Sequence, residues 1–156
     1  MIRAQGVATF VSTALFAIAA TATPSSPCSI AVPVEIRGGQ ARWLGGCVSG
    51  RAAGVGVLRV ADRGRFAFFF GRAMAGRPTT GLVMRTSGDY MQIRGVDQTG
   101  RVLLADGEHI PEQDRAWADA AAGARLVARS FSNSGNAGSS AFYTRWARRI
   151  ETERPE

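Results

Sequence analysis

The sequence predicts an α+β fold, an antiparallel β meander followed by a C-terminal αα-hairpin. Two observations carry this. From Gln40 to Asp106 turn signals recur at short, even intervals: Ser49-Gly50, Asp62-Arg63-Gly64, Gly76-Arg77-Pro78, Ser87-Gly88-Asp89, Asp97-Gln98-Thr99-Gly100 and Asp106-Gly107. Strand-length segments rich in branched and aromatic residues lie between them. After Pro111 the apolar spacing changes, and Trp117, Ala121, Ala124, Ala128 and Phe131 recur at steps of four and three, the stripe of a helix.

The N-terminus comes first. Arg3 is followed by an apolar stretch from Val7 to Ala20, interrupted only by Thr9, Ser12 and Thr13. This has the length of a signal-peptide core and is short for a bilayer span. Ala20-Thr21-Ala22 supplies the small residues that a signal peptidase reads, so residues 1–22 are expected to be cleaved, and Pro24 and Pro27 interrupt any helix beyond. The expected localisation is exported, to the periplasm of a Gram-negative bacterium or secreted. Residues 23–39, with Cys28, then read as a linker or N-terminal strand, 40–107 as the β domain and 108–156 as the helical hairpin.

Cys28 and Cys47 are the two cysteines. In an exported chain an even pair reads as one disulfide, here closing a loop of about twenty residues and contributing on the order of 3 kcal/mol. The competing reading is a metal or redox pair, for which His109, the single histidine, and the absence of Cys-x-x-Cys provide little.

In the β region the expected strands are Val55–Val60, Arg65–Phe70, Gly81–Arg85 and Tyr90–Val96. In the second of these, Phe66, Phe68 and Phe70 share one face, expected to be the core face, and Arg65, Ala67 and Phe69 share the other. The first helix is expected over about Glu112–Ser132, opened by Pro111 and by the acids Glu112 and Asp114. Asn133–Gly138 reads as its stop. A second helix, capped by Ser139 or Ser140, is expected to bury Phe142 or Tyr143 with Trp146 and Ile150. One helical hairpin cannot bury both stripes, so it is expected to pack on the sheet.

An internal repeat is the most specific signal. Trp43, Gly45, Gly50, Arg51, Gly54 and Gly56 form an ordered set of an aromatic, a glycine two residues on, a Gly-Arg turn and Gly-x-Gly. At an offset of 26 residues, Phe69-Phe70, Gly71, Gly76 and Arg77 repeat its first part, with Gly81 near the place of Gly-x-Gly; a third, looser start runs from Tyr90 to Arg101. The turn glycines tolerate positive φ, and Gly54 and Gly56 are expected to leave one face flat for Trp43. This pattern resembles the MORN repeat. The resemblance implies stacked β hairpins that act as scaffolding and interaction elements, in places with membrane or phospholipid contact, without catalytic activity of their own. A Cys just after Trp-x-Gly, as Cys47 is, supports the Cys28–Cys47 disulfide by the same resemblance.

All 19 basic residues are Arg, and the formal charge is +7. The charge is uneven. Arg37 to Arg101 holds eleven Arg against Asp62, Asp89 and Asp97, whereas the chain from Val102 onward holds seven Arg against eight acids. Arg42, Arg51, Arg72, Arg77 and Arg85 are therefore candidates for contact with an anionic membrane, a cell-wall polymer or another envelope protein, or else form an ordinary solvated face. No nucleic-acid partner and no cofactor are expected. The functional expectation is an exported, non-enzymatic interaction or scaffold protein. The alternatives are a small envelope enzyme or accessory acting on cell-wall or glycan material through Glu108 and His109, and a structural protein that self-associates.

Overall fold

The structure is a computed structural model that describes residues 27–155; residues 1–22, read above as a cleavable signal segment, lie outside the described residues. Six strands, β1 (Gln40–Val48), β2 (Arg51–Asp62), β3 (Arg65–Met74), β4 (Arg77–Met84), β5 (Tyr90–Val96) and β6 (Val102–Leu104), form one antiparallel sheet in sequence order. Two helices follow, α1 (Ile110–Asn133) and α2 (Ala137–Thr152). The meander with a C-terminal helical hairpin is thus the observed architecture.

Tight turns set the register. At Ser49-Gly50, Arg63-Gly64 and Ala75-Gly76 both central residues have positive φ, 49° and 73°, 48° and 79°, and 49° and 78°. That is the type I′ geometry, whose twist matches the twist of the strands it joins. The strands run longer than the apolar segments suggest. Arg77-Pro78, read as part of a turn, belongs to β4: Pro78 pairs with Ala73 where the β3–β4 register shifts, a place where a missing N–H is tolerated.

Both faces of the sheet are covered. On one, Val57, Phe68, Phe70, Leu82 and Met84 pack against Trp117, Ala121, Ala124 and Ala128 of α1 and Tyr143 and Ile150 of α2. On the other, Trp43, Leu58, Phe69, Val83 and Ile93 form a second core under Ile36, with Cys28, Ile30 and Val32 packed against it. The face of Phe66, Phe68 and Phe70, expected to be the core face, is one of two core faces, and Phe66 departs from that expectation. Ala67 and Phe69 are buried on the opposite face, and Phe66, near the start of β3, is exposed.

The segment read as a linker forms that second cover, a strap with one 3-10 turn at Val34–Ile36. Ser29 N–H donates to Gly50 O at 2.8 Å, Ala31 N–H to Gly76 O at 2.8 Å and Val34 N–H to Gly100 O at 3.0 Å. The strap therefore ties together the turn ends of all three hairpins β1–β2, β3–β4 and β5–β6. Cys28 and Cys47 lie at disulfide-bonding distance, with Cα atoms 5.8 Å apart, and fix its start to β1.

α1 begins two residues earlier than expected, and the cap of α2 lies three residues before Ser139. Pro111 occupies the first turn of α1, and α2 is capped by Asn136, whose side-chain oxygen accepts from Ser139 N–H at 3.0 Å; neither Ser139 nor Ser140 is the cap. The turn is closed by Gly135 at φ 76°. Ion pairs Arg125–Glu151 and Arg154–Asp114, the latter at 2.7 Å, join the antiparallel helices along their outer side.

Candidate functional site

The repeat residues form a row across the sheet. Gly45 pairs with Gly56, Gly56 with Gly71 and Gly71 with Gly81, so four adjacent strands carry glycine at one level. Trp43 lies flat over the first two: a Cβ on Gly45 would fall 2.7 Å from its ring, and one on Gly56 2.6 Å. Its indole N–H donates to Gly46 O at 2.9 Å. Phe69 lies over the other two in the same way, with Cβ positions on Gly71 and Gly81 falling 2.8 and 2.9 Å from its ring. Each ring thus rests on a glycine of its own strand and one of the next.

This arrangement corrects two details of the sequence reading. The glycines beneath Trp43 are Gly45 and Gly56. Gly54 has open space around it and φ 79°, and it forms a bulge where the β1–β2 register shifts between Gly45 and Gly46. In the second copy Phe69 holds the position of Trp43, while Phe70 points to the helices. Gly81 is the counterpart of Gly56. It stands one residue short of the 26-residue offset because the second irregularity, between Arg72 and Ala73, inserts fewer residues than the first. A third copy does not reproduce the stack, since Gly95 has only Leu103 and Thr79 near it.

The five candidate arginines are not one patch. Arg72 is engaged by Asp119 of α1 through Nη2–Oδ1 at 2.9 Å and Nε–Oδ2 at 3.2 Å, and Thr80 donates its hydroxyl to the same carboxylate. The hydrogen bond and then the charge of Asp119 hold the Arg72 guanidinium above its ordinary pKa. Arg77 donates to Val96 O at 3.1 Å and Asp97 O at 2.6 Å, across the turn end of the sheet. Arg85, just past the far end of β4, pairs with Asp89 at 3.1 Å. Arg42 and Arg51 have no carboxylate partner among the described residues.

Arg51 and Arg72 do share one feature. The helices leave the hairpin-turn end of the sheet uncovered, and a depression of about 550 Å³ there is lined by Val48, Arg51, Ala53, Arg72 and Met74. Val48 and Met74 are each 65% exposed. Sequence reasoning named the two arginines but not the apolar residues beside them. Val48 and Met74 end strands that bury Trp43 and Phe68, Phe69 and Phe70, so periodicity alone gives no sign that the helices stop short of them.

Glu108 and His109 lie in the turn before α1. His109 Nδ1 is 3.1 Å from Asp106 Oδ2, and both side chains are more than half exposed. The Glu108 N–H, and next the His109 side chain, hold the Asp106 carboxyl below the ordinary range. Gln113 closes the turn by donating to Gly107 O at 2.9 Å. The geometry opens α1 and leaves the histidine on the surface. Among the described residues no group of three His, Cys, Asp or Glu side chains is placed to hold a metal ion, and no helix is long and apolar enough to cross a membrane.

Comparison of the chain with protein-family models, with curated proteins and with solved structures gives no match.

Proposed function

We propose that the chain is an exported, non-enzymatic MORN-like interaction protein of the cell envelope that holds an anionic partner surface at the hairpin-turn end of its sheet. The observation that carries this reading is the uncovered depression in which Val48 and Met74 stand in water beside Arg51. Apolar groups rimmed by guanidinium suit a partner presenting carboxylates or phosphates over an apolar layer. The basic balance of the sheet half favours approach of such a surface before contact. The aromatic-on-glycine stack supports a rigid platform, since Trp43 and Phe69 are wedged between the strap and main chain.

The test is cosedimentation of the purified protein with anionic and with zwitterionic phospholipid vesicles and with purified cell-wall polymer, comparing wild type with Arg51→Glu and Met74→Asp. Both substitutions lie on an exposed rim and leave the Arg72–Asp119 pair intact. Binding to one anionic surface that falls at least tenfold in both variants is expected. Absence of binding to every surface, or equal binding by the variants, overturns the reading.

A further inference from the structure

The two edges of the sheet are unlike each other. β6 is three residues long, and its main chain is already engaged: Val102 N–H donates to Glu35 Oε1 at 3.1 Å, and Leu104 O accepts from Arg94 Nε at 3.2 Å. β1 is nine residues long and largely exposed, and among the described residues no backbone hydrogen bond from outside the sheet reaches it. A long open edge is a template for one more strand.

Register identifies the unpaired groups. Across the two-residue turn Arg63-Gly64, Asp62 and Arg65 exchange both of their hydrogen bonds, and Val60, Leu58 and Gly56 likewise turn their main chain to β3. The alternate residues Ala61, Arg59 and Val57 therefore bond to their partners Gln40, Arg42 and Leu44. This leaves the N–H and C=O groups of Ala41 and Trp43 directed outward. A groove of about 460 Å³ lies at this half of the edge, and it shares no lining residue with the turn-end depression.

The two sides of the edge differ in chemistry. Trp43 faces the strap, as does Ala41 two residues before it, and Pro27 and Cys28 stand beside them in the groove. Arg42 faces the helices, as Leu44 does, and is the direct cross-strand partner of Arg59. Neither guanidinium has a carboxylate within ion-pair distance among the described residues. Like charges placed opposite each other work against strand pairing. In an added antiparallel strand the residue opposite Arg42 takes the non-hydrogen-bonded position, where side chains come closest, so an acid there meets Arg42 and offsets its repulsion by Arg59. Two nearer occupants lack that charge. β1 of a second copy contains no acid and would bring basic strand against basic strand, and residues 23–26, which precede Pro27, contain none either. We propose that the β1 edge at Ala41–Trp43 receives an extended acidic segment of a partner protein as a seventh strand, with acids on the Arg42 side and small apolar residues on the Trp43 side.

The test uses the purified protein, disulfide intact, and short synthetic peptides: one alternating Glu and Val, one alternating Lys and Val, and the Glu-Val peptide N-methylated at its valines, whose N–H groups would face β1. The Glu-Val peptide is expected to bind with a Kd below about 1 mM and to slow amide exchange at Ala41 and Trp43. The Lys-Val and N-methylated peptides are expected to bind at least tenfold more weakly. In Arg42→Glu the preference should invert, the Lys-Val peptide becoming the tighter. Ala41→Pro removes an outward N–H at no cost to the ladder and should weaken binding tenfold or more. Arg51→Glu, which disables the turn-end depression, should leave it unchanged, so failure here and failure of the interaction reading are separate results. The proposal is overturned by no saturable binding of the Glu-Val peptide up to about 10 mM, by equal binding of the N-methylated peptide, or by an unchanged preference in Arg42→Glu. Protection of Ala41 and Trp43 in the protein alone also overturns it: protection that rises with concentration assigns the edge to a second copy, and protection independent of concentration assigns it to the chain's own N-terminal residues.

Discussion

Gly123 of α1 meets the main chain of Gly56 in β2 with no room for a methyl group between them. A Cβ at position 123 would fall against the Gly56 carbonyl oxygen and within 3.0 Å of its carbon and nitrogen. Gly56 presents bare backbone to the helix on one face and a floor to Trp43 on the other, so this one residue sets the thickness of the molecule at its centre.

Gly123→Ala therefore forces α1 away from β2. Although alanine favours a helix by about 1 kcal/mol over glycine, the displaced packing is expected to dominate, giving a net loss of about 1–3 kcal/mol in chemical denaturation. Gly138→Ala, in the first turn of α2 with only Asn136 Oδ1 nearby at 3.9 Å, serves as the opposite case and is expected to be neutral or stabilising.

The Asp119 clip joins α1 to β3 and β4 at once. Asp119→Ala leaves Arg72 and Thr80 without their acceptor, and Arg72 is half exposed, its side chain 46% accessible, so water recovers part of the loss. A destabilisation of about 1–3 kcal/mol is expected. A double-mutant cycle with Arg72→Ala should return a coupling of about 1 kcal/mol. Zero coupling would show that solvent already screens the pair.

Removing the covalent link at the strap, by Cys28→Ser with Cys47→Ser, is expected to lower stability by on the order of 3 kcal/mol. The loss has a location. Amide exchange should accelerate at Ser29, Ala31 and Val34, whose N–H groups bind the hairpin ends, before it does in β3.

Acid should loosen the β5–β6 turn. Asp97 Oδ1 accepts from the Thr99 hydroxyl at 2.7 Å, Thr99 N–H at 2.8 Å and Arg101 N–H at 3.0 Å. The Thr99 hydroxyl foremost holds its pKa below the ordinary 3.8. A depressed carboxyl pKa contributes stability that is complete above the ordinary value and disappears as pH falls through the lower folded value. The Thr99 and Arg101 amide resonances are expected to titrate together with a midpoint under 3.8, and in Asp97→Ala they should show no such midpoint.

The meander and the helical hairpin were legible because their signals are local: Gly-containing turns at even spacing, and a stripe of Trp117, Ala121, Ala124 and Ala128 that a helix must bury. What escaped was set by contacts distant in sequence. The second buried face depends on residues 28–36, whose composition is that of a linker and which become a cover only because Gly50, Gly76 and Gly100 offer carbonyls at one end of the sheet. The repeat was visible, but its pairing was not, because bulges of unequal length moved Gly81 one place from its expected offset. The arginines were all visible. That Arg72 was already spoken for depended on Asp119, placed beside it by the helix–sheet crossing; the engagement of Arg77 depended on the carbonyls of Val96 and Asp97.

The strap has a consequence for how the chain reaches this state. Its residues are synthesised before any of their partners, and its last tie, at Gly100, exists only after the sixth strand has turned back. Without the strap, Leu58, Phe69, Val83 and Ile93 would face water on that side of the sheet, an apolar surface open to a chaperone or to a second unfinished copy. Covering the second face is thus a task for a segment made before the sheet it covers, and the cysteine pair tethers that segment to β1.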